Sequence, residues 1–386
     1  MKVGQITDCY LPVINGVTTF VRLFKRTLAL TGADPYIFTS GHTRYADDEP
    51  NVIRSPGLPL GATGYYAAPR HPARVWQAAR RMDVLHAHHP FLALGFAARA
   101  RRQGGQPIVF TSHTRYDLYA RYYLPFLPAR TAAALMSALV RRAIRQCDLI
   151  LAVSDAARDM LAAMRVAAPV EVVTNGIELE RFAAAQPAAR ADLGLPPEAF
   201  MALYVGRLGP EKNLPLLLHA FAHAAPLTPR AVLALVGDGP LAGDLRRQAA
   251  ELGLRHRVLF LGRYPNEDIP ALAAAADLFV TASVSEGHPI TVIEALAAGC
   301  PVVAFRAPGI QETIRDDENG LLAPAADPAL LGQALARLVL DPDLRARLAL
   351  GARASAAQYD IRLTTRRILG CYEILLRDRR RRGALS

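Results

Sequence analysis

Short β-rich runs alternate with helical patterns along the whole chain, in two successive series, and this alternation restricts the fold more than any other feature. Lys2–Thr7, Pro35–Thr39, Val84–His88, Ile108–Ser112, Leu149–Val153 and Val170–Thr174 read as buried strands, with amphipathic stretches such as Thr18–Leu30 and Thr131–Gln146 between them. The second series is Met201–Val205, Ala231–Val236, Val258–Leu261, Leu278–Thr281, Pro301–Phe305 and Gly320–Ala323. Strand–helix alternation calls for right-handed βαβ units and a parallel sheet. Two series call for two doubly wound α/β domains. Asn175-Gly176 and the Ala/Pro-rich stretch after it mark the junction. The expected division is 1–180, 181–360 and a C-terminal helical segment with a basic tail, 361–386. A length of 386 residues agrees, at about 150 residues per domain.

Several classes drop out. No apolar run reaches the ~18 residues of a spanning helix, and Asp8 interrupts the N-terminus where an export signal is apolar. The four cysteines, Cys9, Cys147, Cys300 and Cys371, form no C-x-x-C pair, which argues against a disulfide scaffold or structural zinc and fits a reducing cytoplasm. The net charge of +11 is uneven. Residues 1–180 carry 21 basic and 13 acidic side chains, residues 181–376 carry 19 and 20, and Arg377–Arg382 holds five Arg and one Asp. A one-sided positive charge suits a phospholipid surface, a nucleic acid or an acidic substrate; an Arg-rich surface without a partner is the plain alternative. Only three lysines occur, Lys2, Lys25 and Lys212. Lys is a compact point charge and Arg a flat fork, so each retained Lys raises the question of its role.

Ligands of open parallel sheets sit beyond the carboxyl ends of the strands. In the second series, Ser285–Gly299 follows a strand and opens a helix. Pro289 suits the first helical turn, which leaves the N–H groups of Ile290 and Thr291 free to meet a phosphate at the positive helix end. Glu286 and Glu294 would repel a phosphate, so they suit the hydroxyls of a sugar or ribose; a capped helix with two surface Glu is the alternative. The loop Gly206–Asn213 puts Arg207 and Lys212 at another strand end. Two cations there can spread the charge of a departing diphosphate.

On these residues the chain resembles the retaining family 4 glycosyltransferases of the GT-B fold. The matching pieces are Glu286/Glu294 spaced as E-x7-E with the EALAAGCPVVA that follows, the G-R-x-x-x-E-K-N loop, Val173–Glu178 and Asn319–Leu322. The resemblance implies two Rossmann-like domains facing a central cleft and a UDP- or GDP-linked sugar as donor, with no separate cofactor and no metal. It assigns Arg207 and Lys212 to the donor diphosphate, Glu286 to the donor sugar and Glu294 to the ribose. Where the family has S-E-G-F-G-L-P this chain has S-E-G-H-P-I-T, so His288, Pro289, Ile290 and Thr291 would meet the donor sugar. It also sets the glycine loop at Gly16 beneath the donor phosphates.

In the first series, His86, His88 and His89 end one strand; without a nearby Cys or carboxylate they read as hydrogen-bonded cleft or core histidines rather than metal ligands. His113 ends the next strand. In similar enzymes this histidine lines the cleft, where it orients the donor or carries positive charge; capping a helix is the alternative. Then come Tyr116, Tyr119, Arg121, Tyr122 and Tyr123. Aromatic rings with basic partners suit a bilayer interface, single-stranded nucleic acid, or a core. The H-T-x-Y-x-x-Y-x-x-Y run is similar to that of glycosyltransferases acting on diacylglycerol and related lipids. Two motifs read as decoys: Gly237–Ala242 as a dinucleotide fingerprint, and Asp341-Pro342-Asp343 as a metal-binding D-x-D.

The expected protein is a cytoplasmic hexosyltransferase, peripheral on the inner face of the cell membrane. It would bind a nucleotide sugar and a lipid acceptor on an anionic surface, through a C-terminal helix that returns to the first domain. The rivals are the same transfer to a soluble acceptor and, from another class, a nucleic-acid-binding protein. That last reading gives Glu286, Glu294 and Lys212 no role, so no nucleic acid is expected.

Overall fold

The computed structural model describes residues 1–383 except 42–44, 61–64, 125 and 325, and at 123 and 382 it describes the backbone alone. The chain divides into two units, Met1–Gly176 with Ile361–Ser386, and Ile177–Asp360.

The first unit holds β1 (Lys2–Thr7), β2 (Asp34–Gly41), β3 (Val52–Pro56), β4 (Leu58–Pro59), β5 (Tyr66–Ala67), β6 (Val84–Ala87), β7 (Ile108–Ser112), β8 (Leu149–Ala152) and β9 (Val170–Val172). Seven of these form one sheet in the order β3-β2-β1-β6-β7-β8-β9, parallel throughout. Its inner strands are buried on both faces by helices, which is why they read as continuous apolar runs. β3, β4 and β5 were not expected. β3 is a half-buried edge whose Val-Ile-Arg-Ser-Pro lacks an apolar run, and β4 and β5 form a two-residue antiparallel ladder.

The second unit holds β10 (Phe200–Val205), β11 (Ala231–Val236), β12 (Val258–Gly262), β13 (Leu278–Thr281), β14 (Val302–Phe305) and β15 (Gly320–Ala323). Their order, β12-β11-β10-β13-β14-β15, is again parallel throughout. In each sheet the winding reverses at one point, between β1 and β6 and between β10 and β13. A ligand crevice opens at such a point.

The long helix Ile361–Gly383 belongs to the first unit. Tyr372, fully buried, meets the His86 Nδ1 at 2.6 Å, and Thr364 donates to the Thr174 carbonyl at 3.1 Å. Gly176 permits the approach: a Cβ there would stand 2.5 Å from the Ile361 Cα. Ile177, the first residue of the second unit, pairs with Asp360 and sits in that unit's core.

Candidate functional site

Two loops meet at the reversal point of the second sheet. The first follows β10. Gly206, Leu208 and Leu241 are stitched by backbone bonds: Gly206 N–H to Val236 O at 2.9 Å, Leu208 N–H to Asp238 O at 2.9 Å and Leu241 N–H to Leu208 O at 3.0 Å. A short 3-10 turn, Pro210–Lys212, follows and ends at Asn213, whose φ of 57° places it in the left-handed region. Asn tolerates that region better than most side chains. The second loop follows β13 and runs into the helix Ile290–Ala297. Ser285 Oγ donates to the Glu211 carbonyl at 3.3 Å, and Lys212 Nζ lies 2.7 Å from Glu286 Oε1. Residues 74 positions apart are thus joined in a part-buried ion pair.

The electrostatics differ residue by residue. Burial pushes the Glu286 carboxyl up, but the Lys212 ammonium beside it, which also donates a hydrogen bond, outweighs burial and holds Glu286 below its ordinary value. Glu294 is buried, and burial pushes it to about 8 against a weaker pull from Arg181, so it is mostly protonated at pH 7. It can therefore donate a hydrogen bond as well as accept one. Arg207 is exposed and takes part in none of the ion pairs among the described residues. His288 is buried edge-on against Tyr359 at 5.3 Å, and burial takes it down to about 3, so it is a neutral, inward-facing ring.

One detail of the sequence reading needs correction. Pro289 precedes the helix rather than entering its first turn; its carbonyl accepts the N–H groups of Val292 and Ile293, and Ile290 and Thr291 are the first two helical residues. Helix ends commonly shift by a residue when read from a pattern.

In the first unit, Gly16 is exposed at the start of the helix Gly16–Ala29, capped by Asn15, whose Oδ1 accepts the Thr18 N–H at 2.9 Å. The histidines cluster beside this helix, His86 and His88 buried and His89 and His113 half-buried. His88 Nδ1 and His113 Nε2 stand 3.0 Å apart, and Phe20 meets both rings edge-on. His86 bridges Tyr372 and Thr111, each at 2.6 Å, and His89 Nδ1 accepts the Asp8 N–H at 3.2 Å. Burial lowers all four: His86 to about 3, His89 to about 4, His88 and His113 well below the ordinary range. Desolvation holds the His113 ring toward its neutral form, in which it can orient a ligand by hydrogen bonding.

The tyrosine run also divides. Tyr116 is buried in the core, so it leaves the interfacial face expected of it, because the helix Tyr116–Tyr123 turns it toward Ala120 and Met136. Arg121 is exposed and lies 4.6 Å from the Tyr122 ring centroid; Tyr119 meets Tyr122 edge-on. The side chain of Tyr123 lies outside the described residues.

Three residues were missed. Asp8, just after β1, is a buried carboxyl, pushed up to about 7 by burial although the backbone of Ala93 and Leu92 pulls it down. Gly237 and Gly239, set aside as a decoy, brace the Gly206–Asn213 loop. A Cβ at Gly237 would lie 1.9 Å from Gly206 O, and one at Gly239 2.6 Å from Leu208 O. Asp341 of the D-x-D caps the helix Pro342–Ala356 through the Leu344 N–H at 2.8 Å. Lys25 is buried, pairing with Glu49. Among the described residues no group of three or more His, Cys, Asp or Glu could hold a metal ion.

The family models for glycosyltransferase family 4 and for glycosyl transferases group 1 match residues 14–181 and 185–355. The alpha-monoglucosyldiacylglycerol synthase of Streptococcus pneumoniae (strain ATCC BAA-255 / R6) is 30% identical over 89% of this chain and 80% of its own length. A D-inositol 3-phosphate glycosyltransferase of Salinispora arenicola (strain CNS-205) is also 30% identical, over 93% and 87%. Among solved structures, the sucrose-phosphate synthase of Thermosynechococcus elongatus shares the fold with a TM-score of 0.80, 23% identity and coverage of 98% and 99%. HepE of Anabaena, solved in complex with UDP, does so with a TM-score of 0.76, 23% identity and coverage of 97% and 100%. With its two doubly wound sheets and the Lys212–Glu286 loops between β10 and β13, the chain belongs to the retaining family 4 glycosyltransferases, group 1, and transfers sugar from a nucleotide sugar.

Proposed function

We propose that this enzyme moves a hexose from a UDP-sugar to a hydroxyl of a membrane lipid of the diacylglycerol class. The observation that carries the donor side is the junction at β10 and β13: an exposed guanidinium (Arg207), an ammonium (Lys212) and two carboxyl groups in different protonation states. Arg207 and Lys212 take the diphosphate, and the start of the helix at Ile290 and Thr291 adds backbone N–H groups. Glu286 accepts from sugar hydroxyls and Glu294, protonated, serves the ribose. His288 and Pro289 back this wall from inside. HepE, solved with UDP, supports the choice of base.

His113 and Gly16 serve the reacting sugar and the phosphates from the first unit. The bond from the anomeric carbon to the diphosphate oxygen breaks as the acceptor oxygen bonds to the same face. The acceptor proton passes to the departing phosphate oxygen, so no enzyme nucleophile is consumed. Arg207 and Lys212 stabilise the charge that develops on that oxygen. The lipid acceptor draws on the Arg/Tyr stretch from Tyr119 to Tyr123 and on the diacylglycerol-directed relative. The inositol-phosphate-directed relatives favour a second reading, a soluble phosphorylated polyol.

A panel of UDP- and GDP-sugars separates these. Each donor is offered with diacylglycerol in anionic vesicles or with a soluble inositol phosphate, and the product's anomeric proton is read by NMR. Turnover with UDP-hexose and vesicles alone is expected; turnover with the soluble acceptor alone overturns the lipid reading.

A further inference from the structure

Between Asp117 and Asp148 the chain carries five arginines and no acidic residue. Most of that stretch is the helix Ala129–Ile144. Ala132, Met136, Val140 and Ile144, four apart, bury one side of it in the core. Most of the rest of the helix is exposed: Leu135 (42%) and Leu139 (44%), one turn apart, lie beside Ala138 and Arg142, and Arg130 and Arg141 stand farther around the same solvent-facing arc. Phe126, 77% exposed, precedes the helix.

Isolated exposed leucines need no explanation. Two on one helical face, in an exposed arc whose only charged residues are arginines, are a different pattern. Arg141 and Arg142 suit the helix C-terminus through its dipole. Arg130 does not: it stands in a first turn that has no acidic residue, where a cation opposes the dipole. Helix stability therefore does not account for the arrangement. Beyond the last turn, Arg145 lines a cavity of about 600 Å3 with Arg101, Arg102 and Arg379. Arg101 is held by Asp148, but Arg102, Arg145 and Arg379 join no ion pair among the described residues.

We propose that the outer face of the helix Ala129–Ile144, continued by this arginine-lined cavity, is the surface on which the chain docks to an anionic phospholipid bilayer. Leu135, Leu139 and Phe126 enter the interface, while Arg130, Arg141 and Arg142 meet lipid phosphates and the cavity takes a headgroup. An apolar stripe bordered by cations is the arrangement an interfacial helix needs. The partner is chosen by charge complementarity. The inference deepens the lipid-acceptor reading, but docking is measurable without turnover.

The test uses the full chain and sedimentation with phosphatidylcholine vesicles, with and without phosphatidylglycerol. Binding to the anionic vesicles is expected to fall with added salt. R130Q/R141Q/R142Q is expected to lose about 100-fold in affinity, a factor of about 5 per charge. L135S/L139S is expected to lose about 10-fold. R230Q/R247Q/R255Q, the same charge change on the second unit, should bind as the parent does. Thermal melts establish that each variant folds, and hydrolysis of the donor without lipid should be unchanged in all of them. Equal binding to vesicles lacking phosphatidylglycerol overturns the proposal. So does undiminished binding by the first two variants, an equal loss in the control, or a loss of single-stranded DNA binding in place of vesicle binding. If the variants lose vesicle binding and no donor is turned over, the docking surface stands and the proposed reaction falls.

Discussion

Lys212→Met should damage the enzyme in two separable ways. Lys212 Nζ stands 2.7 Å from Glu286 Oε1, with side-chain exposures of 22% and 16%. As a cation aimed at a departing diphosphate, its loss is expected to lower kcat by about 100- to 1,000-fold, or ~2.7–4 kcal/mol, the scale for one lost group opposite a developing charge. Its loss also leaves Glu286 unpaired. Burial, the largest influence on that carboxyl, then acts with its main opposition removed and is expected to move it above its ordinary value instead of below. In the parent, the lowered Glu286 contributes stability that is present above about 4.5 and is lost as pH falls through its folded value. In the variant the sign reverses: stability falls as pH rises above 4.5, because the folded state now holds the proton more tightly. At pH 7 the unpaired charge is expected to cost ~2–3 kcal/mol, somewhat below a fully buried pair. At about 2–4 °C per kcal/mol for a unit of this size, Tm should fall by roughly 4–12 °C. Adding Glu286→Gln should restore most of the Tm and none of the kcat. Melting curves from pH 4 to 8 and steady-state turnover on all three proteins decide the matter. A single variant with kcat within tenfold of the parent and an unchanged Tm at pH 7 would refute both the phosphate role and the pairing argument.

Further outcomes are expected elsewhere. Gly309 has φ 77°, and a Cβ there would fall 2.4 Å from the Glu286 carbonyl oxygen, so Gly309→Ala should raise the donor KM by about tenfold (~1.4 kcal/mol) through displacement of Glu286, as read by UDP-sugar titration. Glu294, at about 8 when folded against 4.5 ordinarily, makes the parent less stable as pH rises from about 5 to 8; Glu294→Gln should flatten that part of the Tm profile. Tyr372→Phe removes the partner of His86 Nδ1 and should cost ~1–3 kcal/mol in a chemical denaturation curve. The lowered histidines of the first unit have the opposite pH sense to Glu294: their penalty grows as pH falls below 6.5, so acid melts should start there.

The sheets were legible because parallel strands buried on both faces leave uninterrupted apolar runs. The edge strand Val52–Pro56 was not, since half-burial permits Arg54 and Pro56 within it. Arg207, Lys212, Glu286 and Glu294 were legible as residue types at strand ends. The Lys212–Glu286 pair was not, because only the order of β10 and β13 brings those loops together. The depth of Tyr116 was not legible, because spacing along the chain gives no depth. Gly237–Gly239 misled in a different way: a glycine turn that makes room for another loop has the same spelling as one that makes room for a cofactor.

The return of the C-terminal helix to the first unit bears on how the protein is made. Synthesis delivers residues 1–176 first, yet Tyr372, which closes over His86, emerges only after the whole of the second unit. Residues 1–176 must therefore wait with their histidine cluster uncovered, while the second unit, encoded without interruption, can finish alone. A stop codon shortly before Tyr372 would leave a second unit complete in sequence and a first unit with an open side. Loss of the segment that carries Tyr372 should thus be felt in the first unit rather than in the second, which it directly follows.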